Sequence, residues 1–182
     1  MQYFCRMNIS ELRDKLCKFR EESGMTKTCY AKKFGVQVQF VTRIEGTSVS
    51  FDKMLEYLTN LQRRMLVDYD GEVYVIGDYS AFLKFLGDAV KKESAPKIAN
   101  FIGGGSGRVY GILREEGKVT VKTVLAILEG LGCVITFESI TDEREKDELL
   151  LSQLMAKAKV LRHELNQADK QIRLLRIKLK KN

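Results

Sequence analysis

One pattern of small and apolar residues occurs twice in this sequence, at low identity. Thr26-Lys27-Thr28-Cys29-Tyr30-Ala31 and Phe34-Gly35 fall opposite Ser94-Ala95-Pro96-Lys97-Ile98-Ala99 and Ile102-Gly103, an offset of 68 (26 to 94), and Val41 and Ile44 face Val109 and Ile112 at the same offset. Ser50-Phe51, Met54-Leu55, Leu58 and Leu61 then face Thr120-Val121, Val124-Leu125, Leu128 and Leu131 at an offset of 70 (50 to 120), which puts two extra residues in the second copy around Arg114 to Glu116. Apolar positions that recur at a fixed period describe one supersecondary unit built twice.

Within the first copy the apolar residues follow helical spacing. Ile9, Leu12, Leu16, Cys17 and Phe19 mark a helix over Ile9 to Glu22, with Asn8 as its cap and Gly24 as its stop. Three shorter stripes follow: Tyr30, Ala31 and Phe34 up to Gly35; Phe40, Val41 and Ile44 up to Gly46; and Phe51, Met54, Leu55, Leu58 and Leu61. From Met65 to Ile76 the pattern changes to two β-rich runs, MLVDY and VYVI, joined around Asp70-Gly71, which predicts a hairpin. A fifth helix carries Phe82, Leu83, Phe85, Leu86, Ala89 and Val90, and the second copy ends in another β-rich run, CVITF.

Both copies resemble the helix-turn-helix of the phage-repressor family (Cro-like, XRE). The matching stretch in the first is TKTCYAKKFGVQVQFVTRIEGTSVSFDKMLEYL; in the second, SAPKIANFIGGGSGRVYGILREEGKVTVKTVLAILEGLGCVI is similar to the variant found in antidotes of toxin-antitoxin pairs. In such a motif Ala31 and Ala99 must be small where the next helix crosses, and Gly35 and Gly103 permit the left-handed turn between the helices. Val41 and Ile44 hold the recognition helix from beneath, leaving its other face to enter a major groove.

The resemblance implies that Gln37 caps the recognition helix while Val38, Gln39, Thr42 and Arg43 face base edges. Gln39 suits adenine and Arg43 guanine, pairs that discriminate by about 1 to 3 kcal/mol each. Thr26 and Lys27 stand where the family grips phosphate, although this chain has Lys27 where glutamine is usual. The corresponding helix of the second copy starts around Gly104 to Arg108 and offers Ser106, Arg108 and Tyr110. The alternative for all these residues is an ordinary solvated helix face.

Catalytic readings fail. The glycine run Gly103 to Gly107 lacks the GxxxxGK[ST] order and follows a helix rather than a strand. His163 is the one histidine, and Cys5, Cys17, Cys29 and Cys133 contain no CxxC pair, so neither a nucleophile–base set nor a zinc site assembles. No enzyme activity, metal or cofactor is expected. Scattered cysteines, the lack of a signal-like opening and the lack of a long apolar run suggest a reduced, cytoplasmic, membrane-free protein.

The net charge of +7 is uneven. Residues 1–64 carry 12 Lys and Arg against 7 Asp and Glu, and residues 140–182 carry 11 against 7, so the first unit and the tail are the basic parts. In the tail Leu151, Leu154, Ala158, Leu161, Leu165, Ala168, Ile172, Leu175 and Leu179 alternate spacings of three and four, the seam of a coiled coil. A parallel pairing would set Lys157 against Arg162 and Glu164 against Asp169. An antiparallel one instead puts Ala158 on Leu175, Leu161 on Ile172 and Arg162 near Asp169, the better fit of volume and sign. An amphipathic helix packed on the body is the other reading.

The expected architecture is mainly α. It comprises a first helix-turn-helix domain (1–64), a β-hairpin connector (65–77), a second helix-turn-helix domain ending in a strand (78–139) and a coiled-coil helix (140–182). The expected function is sequence-specific binding of double-stranded DNA by a homodimeric regulator, a repressor. The alternative is an antidote-like module for a protein partner.

Overall fold

The computed structural model describes residues 7–140 together with Leu151, Leu154, Met155, Ala158, Leu161, Arg162 and Leu165. It is mainly helical, with a small antiparallel sheet. Four helices come first: α1 (Ile9–Glu22), α2 (Lys27–Phe34), α3 (Val38–Glu45) and α4 (Phe51–Asn60). Strands β1 (Arg63–Tyr69) and β2 (Glu72–Ile76) follow, then α5 (Tyr79–Glu93), α6 (Ala95–Phe101), α7 (Ser106–Leu113), α8 (Val121–Gly130) and β3 (Val134–Ser139). Among the described residues no helix is long and apolar enough to cross a membrane.

Local chemistry sets the boundaries. Asn8 accepts from the Ser10 and Glu11 backbone N–H groups while Glu11 accepts from Asn8 N–H, a reciprocal capping box that starts α1. Asp78 does the same for α5 by accepting from Ala81 N–H at 2.8 Å. Gly35 ends α2 at φ 66°, a left-handed position that costs a glycine nothing. At the hairpin both Asp70 (φ 57°) and Gly71 (φ 78°) are left-handed, the requirement of a two-residue turn that matches strand twist.

The hairpin is more than a connector. Strand order is β2-β1-β3, so β1 lies in the centre and pairs antiparallel on both sides. Met65, Val67 and Tyr69 point into the core from β1, with Ile76 from β2 and Ile135 from β3. Buried side chains from both halves of the chain form one continuous cluster, from Leu12 to Ile135. Each fully buried Phe, Leu or Ile in it contributes about 1.5–3 kcal/mol.

The strand of each half packs on the first helix of the other half. Phe137 of β3 meets Phe19 of α1 edge-on at 5.4 Å, and Tyr69 of β1 meets Phe85 of α5 at 5.9 Å.

The repeat is visible in individual backbone hydrogen bonds. Val36 N–H donates to Ala31 and Gly104 N–H to Ala99; Ser48 N–H donates to Arg43 and Glu116 N–H to Gly111, all at the offset of 68. Beyond that point the offset is 70: Leu61 N–H donates to Tyr57 and Leu131 N–H to Ile127. Val49 and Val119 occupy matching places in the bridge between Ser50 and Thr120. The two extra residues are therefore Gly117 and Lys118, not residues within Arg114 to Glu116. Those three continue the C-terminal turn of α7 as Gly46 to Ser48 continue that of α3.

Candidate nucleic-acid interface

Two helix pairs present the residues singled out from the sequence. In the first, Ala31 on α2 is buried at the crossing, and Val41 and Ile44 root α3 with 0% and 1% exposure. Helical periodicity then sends the opposite face outward. Gln37, Val38, Gln39, Thr42 and Arg43 are all exposed. Thr42 Oγ1 donates back to Val38 O at 3.3 Å, an internal bond that fixes its rotamer.

Gln37 stands at the N-cap position but makes no side-chain capping bond. Its expected side-chain capping role is thus not realised, and the residue is exposed. Thr26 is the cap of α2, accepting from Cys29 N–H at 3.1 Å.

Lys27 has a different surrounding from the one its position suggested. Its Nζ lies 3.1 Å from Oε2 of Glu45, a carboxylate that is 3% exposed. Arg20, itself buried, donates from Nε to Glu45 Oε1 at 2.5 Å and from Nη1 to Met25 O at 2.7 Å. Tyr57 OH donates to the same Glu45 oxygen at 2.9 Å. One carboxylate therefore ties α1, α2, α3 and α4 together directly behind the exposed face of α3. Burial alone would raise the Glu45 pKa, but the hydrogen bonds from Arg20 and Tyr57 and the ion pair with Lys27 outweigh it and hold the carboxyl below its ordinary range.

Sequence reasoning missed this network. The signal was present: Arg20 continues the Leu12–Leu16 stripe at i+4, and Glu45 follows Ile44 on a helix of only eight residues.

The second pair repeats the frame with a barer face. Ala99 (1% exposed) is buried at the crossing, Gly103 adopts φ 63°, and Val109 and Ile112 root α7. At the offset of 68, the counterparts of Gln37, Gln39 and Arg43 are Gly105, Gly107 and Gly111. Tyr110 is 47% exposed and Ser106 half-buried. Arg108 is exposed but turns back, its Nη1 donating to Ile102 O at 3.0 Å.

The charge network has no second version either. The N-caps Asn8 and Asp78 align α1 with α5 at an offset of 70, so Arg20 corresponds to Val90, while Lys27, Glu45 and Tyr57 correspond to Ala95, Leu113 and Ile127. The same four-helix junction is closed once by ions and once by aliphatic packing.

Comparison of the chain with family models, with curated proteins and with solved structures returned no match.

Of the tail seam, Leu151, Leu154, Ala158, Leu161 and Leu165 are helical and exposed, the leucines by 54–64%. Ala168, Ile172, Leu175 and Leu179 lie outside the described residues.

Proposed function

We propose that the chain is a sequence-specific double-stranded DNA-binding regulator of the repressor type, built from two helix-turn-helix units. The supporting observation is the α2–Gly35–α3 arrangement: α3 is anchored by Val41 and Ile44 and turns Gln37, Val38, Gln39, Thr42 and Arg43 to solvent. Glutamine and arginine on one exposed helical face are the side chains that read adenine and guanine edges in a major groove. Lys32 and Lys33 in the last turn of α2, the helix before α3, add exposed cationic charge. The Arg20–Glu45–Lys27 network makes the platform rigid, so that the readers lose little freedom on binding.

Dimerisation through the C-terminal helix completes the proposal. Four leucines exposed by more than half on a helix form an apolar stripe, and a second copy of the same stripe would cover it. The same stripe supports a second reading, in which a protein partner docks there and DNA binding is secondary, as in antidote proteins.

Selection of bound duplexes from a random pool tests the main reading. An enriched sequence contacted through α3 is the expected result; a pool that stays random refutes it.

A further inference from the structure

We propose that one chain by itself covers a complete inverted repeat of DNA, and that base preference resides almost wholly in one half of it. This rests on the DNA-binding reading above and adds the symmetry and composition of the target.

The observation behind it is where the two copies touch. In an antiparallel pair, two residues directly opposite one another have a local two-fold axis between them. β1 and β3 place Leu66 opposite Thr136, and the isolated bridge places Ser50 opposite Thr120. Each of these pairs joins counterparts in the repeat, at the offset of 70. The bridge bonds are reciprocal: Phe51 N–H donates to Val119 O and Val121 N–H to Val49 O, each the image of the other under exchange of copies.

Two separate contacts thus have the register that a two-fold rotation between the copies requires. Packing of each strand on the other copy's first helix is the same exchange seen in side chains. α3 and α7 are therefore counterparts across an internal dyad. Duplex DNA has its own local dyads, and a protein with two-fold-related reading helices matches an inverted repeat. Usually two chains supply that symmetry; here one chain contains both halves.

The halves are not equal in what they can read. Gln37, Gln39 and Arg43 become Gly105, Gly107 and Gly111 across the dyad, and Arg108 is drawn back to Ile102 O. A helix face that offers Ser106 and Tyr110 but no outstretched glutamine or arginine can sit against sugar and phosphate, contacts that position a protein but carry no sequence information. The first half-site is read and the second only held.

The test uses the full chain carrying Leu161→Asp and Leu165→Asp, exposed tail positions whose change leaves the body intact and keeps the protein single. The probes are the duplexes enriched from a random pool, examined by native mass spectrometry, hydroxyl-radical footprinting and base substitution. One chain per duplex is expected, with two protected segments related by a dyad. Substitutions in one segment should lower affinity about 5- to 150-fold, and those in the other less than about twofold.

Gly107→Gln with Gly111→Arg is the second arm. A Cβ at 107 meets nothing within 4 Å, and at 111 only the mobile end of Glu116, so the readers can be transplanted without disturbing the fold. That variant should enrich a sequence whose second half becomes the inverse of the first. A single protected segment, a requirement for two chains, or an unchanged sequence from the transplant overturns the proposal. Failure of the parent chain to bind any duplex removes the DNA reading itself, and the proposal with it.

Discussion

Removing the Glu45 carboxylate should be among the most damaging single changes in the first half of the chain. Glu45→Ala leaves the Arg20 guanidinium, whose side chain is 8% exposed, without its main acceptor and Tyr57 OH with only Leu16 O at 3.5 Å. Breaking a buried ion pair from one side costs about 3–5 kcal/mol. Against a total stability of about 5–15 kcal/mol this is a large fraction. For a chain of this size it corresponds to a fall in Tm of roughly 6–20 °C.

The second half indicates how the loss can be recovered. Arg20→Val, Lys27→Ala and Glu45→Leu together install the residues found at 90, 95 and 113, and replacing a whole buried ion pair by matched apolar groups is often neutral. The triple variant should regain more than half of what Glu45→Ala loses. Urea denaturation monitored by circular dichroism measures both. A loss below about 1 kcal/mol for Glu45→Ala, or a triple variant worse than the single one, would refute the reasoning. The same group sets an acid dependence. Because folding lowers the Glu45 pKa, its contribution is complete above the unfolded value of about 4.3 and declines as pH falls through the folded one. The Glu45→Ala chain should lack that part of the acid limb.

Arg43→Ala should cost about 1–3 kcal/mol on the enriched duplex and relax its preference at one position, whereas Arg108→Ala should cost less, as titrations across salt concentrations will show; equal loss on specific and random DNA would make Arg43 a phosphate contact. Gly130→Ala would drive a Cβ into the Phe101 ring and should destabilise by about 1–3 kcal/mol in thermal melts; an unchanged melting temperature would show that the ring yields. Leu161→Asp with Leu165→Asp should convert a dimer to a monomer in analytical ultracentrifugation without lowering the melting temperature of the body; persistence of the dimer would move the interface elsewhere.

Local signals made the elements legible. Asn8 marked the start of α1, Gly35 the end of α2, and Asp70-Gly71 the turn between β1 and β2, because caps and turns depend on a few neighbouring residues. The exposed face of α3 was legible for the same reason, through its 3.6-residue period. What depended on distant residues was not. Nothing near β1 says that its second partner is β3, since the ion pair beside that pairing, Arg64 with Glu138, spans 74 positions. The position of Gly117 and Lys118 as the extra residues follows only from the bridge at Ser50, and the pairing of the Lys27 ammonium with Glu45 is not legible near Lys27 because Glu45 is 18 positions away on another helix.

The central place of β1 has a consequence during synthesis. β1 and β2 are finished while the second copy is still being made, so the chain carries for that time an open strand edge from Arg63 to Tyr69. Open edges recruit whatever complementary strand arrives first. Here the complement has a ready impostor: the dyad register that sets Leu66 opposite Thr136 would equally set it opposite Leu66 of another unfinished chain. Two nascent chains on neighbouring ribosomes can thus knit through β1 before either β3 exists, leaving each with an orphaned second copy. Slow or crowded translation should favour such entangled pairs, and prompt delivery of Val134–Ser139 should reduce them.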